Sequence, residues 1–122
     1  MLIHIIEDDI LLLKTLEFKM NKEGYKVSIS NNGFDAVEYL KENEPDLIVT
    51  DIMMPFINGL EIISFVRTEL KSKVPIIVLS SAGLEKTVLE AFELGADDFI
   101  TKPFSPNELS IRIKKISLRL LV

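Results

Sequence analysis

Four short stretches of the chain carry side chains that could do chemistry together: Glu7-Asp8-Asp9, Thr50-Asp51, Ser80-Ser81 and Thr101-Lys102. Each follows a short apolar run, at Leu2 to Ile6, Leu47 to Val49, Ile76 to Leu79 and Phe99-Ile100. Three or four carboxylates, a hydroxyl and an ammonium therefore meet wherever the ends of these runs meet. Carboxylates crowded without compensation repel one another and raise their own pKa values, so the cluster calls for a cation. Oxygen-only ligands suit Mg²⁺, which takes one or two carboxylates, keeps several waters and leaves room for a phosphoryl oxygen. Lys102 would add a second positive charge, and Ser80 a hydrogen bond to the same phosphoryl group. A carboxylate can itself be the nucleophile and form an aspartyl-phosphate, and Asp51, central by its place among the runs, is the best candidate.

The elements that must position these residues are legible as alternation. A fifth apolar run lies at Val27 to Ile29, and most of the five are rich in Ile and Val with little polar alternation, as in strands covered on both faces of a parallel sheet. Between them, apolar residues recur at helical spacing: Ile10, Leu13, Leu16 and Met20, stopped by Gly24; Phe34, Val37 and Leu40, ended before Pro45; Leu60, Ile63, Val66 and Leu70; Val88, Ala91 and Phe92; Leu109, Ile113, Ile116 and Leu120. The pattern predicts an α/β fold of five βα units, a doubly wound five-stranded parallel sheet with right-handed crossovers. In such a sheet the ligand crevice lies beyond the carboxyl ends of the strands, where the reactive residues fall.

Composition narrows the function. At 122 residues the chain has the size of one domain, residues 1–122, with no output domain. It has no cysteine, which removes thiolate metal sites and thiol nucleophiles and points to the cytoplasm. The formal charge of -5 is the wrong sign for a free-standing binder of phosphate backbones, so no direct nucleic-acid contact is expected. Charged residues interrupt each apolar stretch well before the roughly 18 residues a membrane span needs, and the first residues show no signal peptide. Plainer roles compete at several positions. Asp9 could cap the first helix, Ser81 could be a turn residue, and His4, inside an apolar run, reads as a core or edge histidine. Met53 and Met54 read as packing.

The chain also resembles a known family, the CheY-like receiver domain of two-component response regulators. The resemblance spans nearly the whole chain and rests on Ile5-Ile6-Glu7-Asp8-Asp9, Asp46 to Pro55 with Asn58-Gly59-Leu60-Glu61, Pro75 to Ala82, and Gly95 to Phe104. It implies a flavodoxin-like sheet of strand order 2-1-3-4-5. By this likeness Asp51 is the phosphoacceptor, and Glu7 and Asp8 are the acidic pair for Mg²⁺, Asp8 directly and Glu7 through water. The backbone carbonyl of Met53 is a further ligand, Ser80 is the switch hydroxyl, Lys102 contacts phosphate, Phe99 is the aromatic switch, and the Lys102-Pro103 bond is cis. The donor would be the phosphohistidine of a sensor histidine kinase, and the output a homodimer or output domain on the face of the fourth helix, fifth strand and fifth helix.

Within the family, the block from Gly95 to Lys114 is most similar to receivers of the winged-helix branch, in which acidic residues such as Asp97 and Asp98 pair across a dimer with an arginine such as Arg112. Val88 stands where that branch has a basic residue. Ile111, Leu118 and Val122 form a second apolar stripe on the fifth helix, expected to meet a partner. Met53 and Ala82 occupy the positions from which faster members orient the hydrolytic water, so the phosphorylated state should be long-lived. The alternative reading is an aspartyl-phosphate phosphohydrolase, which usually carries a second Asp where Met53 stands. A flavodoxin is third, and Glu7-Asp8-Asp9 would repel its phosphate.

Overall fold

The computed structural model describes residues 1–81 and 85–120. Among these, five strands alternate with five helices: β1 (Leu2–Ile6), α1 (Ile10–Lys22), β2 (Lys26–Ser30), α2 (Gly33–Glu42), β3 (Leu47–Asp51), α3 (Gly59–Ser64, continuing as a wide turn over Phe65–Glu69), β4 (Ile76–Ser81), α4 (Glu85–Leu94), β5 (Asp98–Lys102) and α5 (Pro106–Leu120). The sheet is parallel with order β2-β1-β3-β4-β5. No helix of the described residues is long and apolar enough to cross a membrane.

Three of the helices, α1, α2 and α3, begin at a side-chain cap. Asp9 caps α1 by accepting from the Leu12 N–H, so the plainer role considered for it is the one it plays. Gly24, at φ 95°, ends that helix in a conformation that side chains resist. Asn32 caps α2, and Asn58 with Glu61 forms a capping box on α3. The third helix departs from simple periodicity: the Leu70 N–H donates to the Phe65 carbonyl five residues back, so its last turn is widened.

Two apolar layers sandwich the sheet. Ile3, Ile5, Val49 and Leu79 meet Leu13, Leu16, Met20, Leu109, Ile113 and Ile116 of α1 and α5. On the other face Ile6, Ile48, Ile76 and Val78 meet Ala36, Leu40, Ile62, Ile63, Val66, Val88 and Ala91 of α2, α3 and α4. Burying a residue of this kind stabilises the fold by about 1.5–3 kcal/mol, an upper estimate because the unfolded chain is itself partly compact. Four residues assigned to helical stripes by spacing are instead exposed: Ile10, Phe34, Phe92 and Leu120. All four lie in the first or last turn of their helices. On the second stripe of α5, Ile111 and Leu118 are exposed, and Val122 lies outside the described residues.

His4 is fully buried, with Ser28 Oγ and Ser30 Oγ each 2.8 Å from its ring nitrogens and the Tyr39 ring stacked on it at 4.0 Å. It is the core histidine that its surroundings in sequence suggested.

Candidate functional site

Strand register brings the reactive residues together. Ile6 pairs with Thr50, which sets Glu7 level with Asp51; Asp51 pairs with Leu79, so Ser80 stands one residue beyond it; Ser81 pairs with Lys102. Residues from the two ends of the sequence thus share one edge of the sheet.

Glu7 and Asp51 are buried while Asp8 is exposed, and one carboxylate oxygen from each lies within 4.8 Å of the others. Lys102 reaches in from β5, its Nζ 2.6 Å from Glu7 Oε1 and 3.3 Å from Asp51 Oδ2. The closer contact joins charges without aligned hydrogen-bond geometry, so the buried Glu7 Oε1 keeps no hydrogen-bond partner. Glu7 Oε2 accepts from the Asp9 N–H at 3.1 Å. Thr50 is buried, with its hydroxyl donating to the Asp51 carbonyl at 2.9 Å. Ser80 is buried at the end of β4 and Ser81 is exposed, so only the first of the two serines belongs to the interior of the site. A cleft of about 440 Å³ lined by Asp9, Leu12, Ser81, Lys102, Pro103 and Phe104 opens beside the lysine. A larger one of about 960 Å³ lies at the opposite edge, among Pro45, Asp46, Lys71 and Pro75, a full strand length from the acidic group.

Charge in this site is unbalanced. Burial pushes the Glu7 carboxyl up to about 7, against the opposing pull of Lys102 and the Asp9 N–H. Asp51 is likewise raised by burial, with the Lys102 charge offsetting part of the cost. Burial alone would lower Lys102, yet Glu7 and Asp51 beside it together hold it above its usual value. One ammonium among three carboxylates leaves net negative charge, which a further cation would offset. A set of oxygen donors alone, within 4.8 Å of one another, fits a hard divalent ion such as Mg²⁺.

The other residues singled out in the sequence take the following places. The Met53 side chain is exposed rather than packed, whereas Met54 is buried. Arg112 pairs with Asp98 within the chain at 2.8 Å, and Asp97 does not join it: Asp97 Oδ2 accepts from Arg67 at 3.2 Å and from the Ile76 N–H at 2.8 Å. Val88 is buried in the apolar layer of α2, α3 and α4. Phe99 is 37% exposed and meets Phe92 edge-on at 5.8 Å. The Lys102-Pro103 bond is cis, as the resemblance implies. Ala82 lies outside the described residues.

A five-stranded sheet of order 2-1-3-4-5 with an acidic pocket and a lysine at its carboxyl edge defines a flavodoxin-like class of signalling domain. The chain belongs to the response regulator receiver domain family, whose model matches residues 3–114. It is similar to the receiver domain of the Francisella response regulator 1452, at 28% identity and a TM-score of 0.89 over 98% of both chains. It is also similar to the receiver domain of a signal transduction histidine kinase from Syntrophus aciditrophicus, at 32% identity and a TM-score of 0.83 over 93% of this chain and 87% of that one. A third likeness is to full-length FixJ from B. japonicum, at 27% identity and a TM-score of 0.85, where 93% of this chain matches 56% of the other. The chain is thus a receiver domain of two-component signalling, not an enzyme of the ordinary kind.

Proposed function

We propose that Asp51 accepts a phosphoryl group from the phosphohistidine of a sensor histidine kinase, and that this modification resets the face formed by α4, β5 and α5 to control a homodimer or an output domain. The observation that carries this reading is the placement of a buried Asp51 beside Lys102 Nζ, at 3.3 Å, and within 4.8 Å of Glu7 and Asp8. An Asp51 oxygen attacks phosphorus as the phosphorus–nitrogen bond to the donor imidazole breaks, and the imidazole leaves with the electron pair and takes a proton from solvent. Lys102 holds its proton throughout and offsets charge on the arriving group, while Ser80 offers a hydroxyl to one phosphoryl oxygen. Glu7, Asp8, Asp51 and the Met53 carbonyl would hold Mg²⁺, which when bound neutralises the negative charge that collects there. Ser80 drawn toward the phosphoryl group leaves room behind it for the Phe99 ring, a two-state packing change that α4 and α5 can transmit.

The test is intact-mass analysis after incubation with acetyl phosphate and Mg²⁺. A single phosphoryl adduct is expected, absent in Asp51→Asn and strongly slowed by excess chelator. An adduct that persists in Asp51→Asn refutes the assignment.

A further inference from the structure

Arg67 stands in the wide turn that ends α3, and its side chain is largely buried, at 18% exposure. Its guanidinium is engaged by three other segments of the chain. Nε and Nη2 donate to the Gly95 carbonyl, at 3.2 and 2.8 Å, and Nη1 donates to the Ser72 carbonyl at 2.9 Å. Nη2 also pairs with Asp97 Oδ2 at 3.2 Å, and the same oxygen accepts from the Ile76 N–H at 2.8 Å. Hydrogen bonds with a charged group are roughly twice as strong as neutral ones, and the planar fork of arginine fixes their direction.

The corner held in this way is the C-terminal end of α4. Gly95 ends that helix at φ 119°, its N–H donating back to the Ala91 and Phe92 carbonyls, and the Ala96 N–H donates to Ala91 as well. A Cβ on Gly95 would stand 2.8 Å from Arg67 Nε and 3.1 Å from its Cγ, so the arginine stem lies directly against the bare glycine. Glycine here serves both the backbone conformation and the close approach. Asp97 carries the lock into the sheet, since its N–H donates to the Ile76 carbonyl at 2.9 Å while its carboxylate takes the Ile76 N–H. The guanidinium also sits where the dipole of α4 leaves partial negative charge.

The body of α4 is held lightly. Among the described residues it buries Val88 and Ala91, where α1 buries Leu13, Leu16 and Met20, and α5 buries Leu109, Ile113 and Ile116. Ser80 lies near the end of β4, shortly before α4 begins at Glu85, so a pull on Ser80 reaches the helix at its first turn, the end away from Arg67. A rod fixed at one end and pulled at the other rotates. Gly95 is about 15 Å from Glu85 along the helix, so a tilt of about 10° carries the first turn about 3 Å while the last turn stays.

We infer that Arg67 is a positioning residue that pins the C-terminal end of α4, so that phosphorylation turns this helix about Gly95 instead of sliding it along α3. The inference rests on the proposed switching of the face formed by α4, β5 and α5, and adds its fixed point. The chain has no cysteine, so introduced pairs take spin labels selectively. One label goes on the first turn of α4, at Lys86→Cys, or on its last, at Glu93→Cys. Each is measured by pulsed electron resonance against Lys22→Cys on α1 and, separately, against Glu42→Cys on α2, all four sites being exposed. Distances are taken in Mg²⁺ before and after beryllofluoride, whose binding is scored by ¹⁹F NMR.

With Arg67 in place, at least one Lys86 distance should shift by about 2 Å or more and both Glu93 distances by less than about 1 Å. Arg67→Met, which keeps the stem and loses the donors, should let the Glu93 distances shift as far as those of Lys86. Arg67→Lys, which keeps the charge, should give an intermediate shift at Glu93, and it carries the comparison alone if Arg67→Met does not fold. Equal or larger shifts at Glu93 with Arg67 in place overturn the pivot and leave the switch standing. An unmoved Glu93 in the Arg67 variants overturns the assignment to this residue. Bound beryllofluoride that moves neither end refutes the switching face, and a failure to bind it refutes the reading of Asp51; the inference falls with either.

Discussion

Stability should fall on acidification through His4, by an amount that follows from its burial. The ring is enclosed by Ser28, Ser30 and Tyr39, and burial lowers its pKa from 6.5 to about 4. Above pH 6.5 the imidazole is neutral folded and unfolded, and the contribution is fully present. As pH falls from 6.5 toward 4, the unfolded chain binds a proton that the folded chain refuses, so stability declines by about 1.4 kcal/mol per pH unit. Between pH 7.5 and pH 5 the loss is about 2 kcal/mol, and it approaches 3 kcal/mol below pH 4. Glu7 acts in the opposite sense: its folded pKa of about 7 lies above its ordinary value of 4.5, so its contribution is present at low pH and lost as pH rises through 7. The parent curve alone therefore understates the histidine.

The comparison with His4→Gln isolates it, because Glu7 is common to both proteins. Urea unfolding of both across this range should give a stability difference that shifts by about 2 kcal/mol between pH 7.5 and pH 5. NMR offers a direct check, since His4 is the sole histidine of the chain and its ring resonances need no assignment. They should titrate near pH 4 in the folded protein. A midpoint near 6.5, or a stability difference flat with pH, would refute the account, because the site would then admit the imidazolium.

The remaining predictions concern the site. Gly59→Ala should destabilise the fold by about 1–3 kcal/mol in urea, since the new Cβ collides with backbone at Asp51 that cannot give way cheaply. Binding of beryllofluoride as a phosphate mimic should shift the NMR signals of the Phe99 ring along with those around Asp51; an unchanged ring refutes the packing switch. Met53→Asn with Ala82→Glu should speed loss of the phosphoryl group about tenfold, equivalent to about 1.4 kcal/mol, by supplying side chains that can orient the attacking water.

The five strands and five helices were legible because their signals are local. Runs of Ile and Val mark strands buried on both faces, and Gly24, Pro45 and Asn58-Gly59 punctuate the helices within a few residues of where they stop or start. The site was legible for a related reason: in a parallel sheet all carboxyl ends lie on one edge, so the position of a residue relative to its strand is enough to gather Glu7, Asp51, Ser80 and Lys102. Only the tertiary structure decided which face of each residue is covered. Spacing cannot reveal that Phe34 and Leu120 are exposed, that Met53 is exposed while Met54 is buried, or that Arg67 reaches the Gly95 carbonyl at 2.8 Å and pairs with Asp97. The positive φ of Phe56, at 68°, is of the same kind, because no pattern in the sequence marks it. Burial, pairing and strain depend on what lies across a gap in space. Periodicity records only which residues share a side of one element.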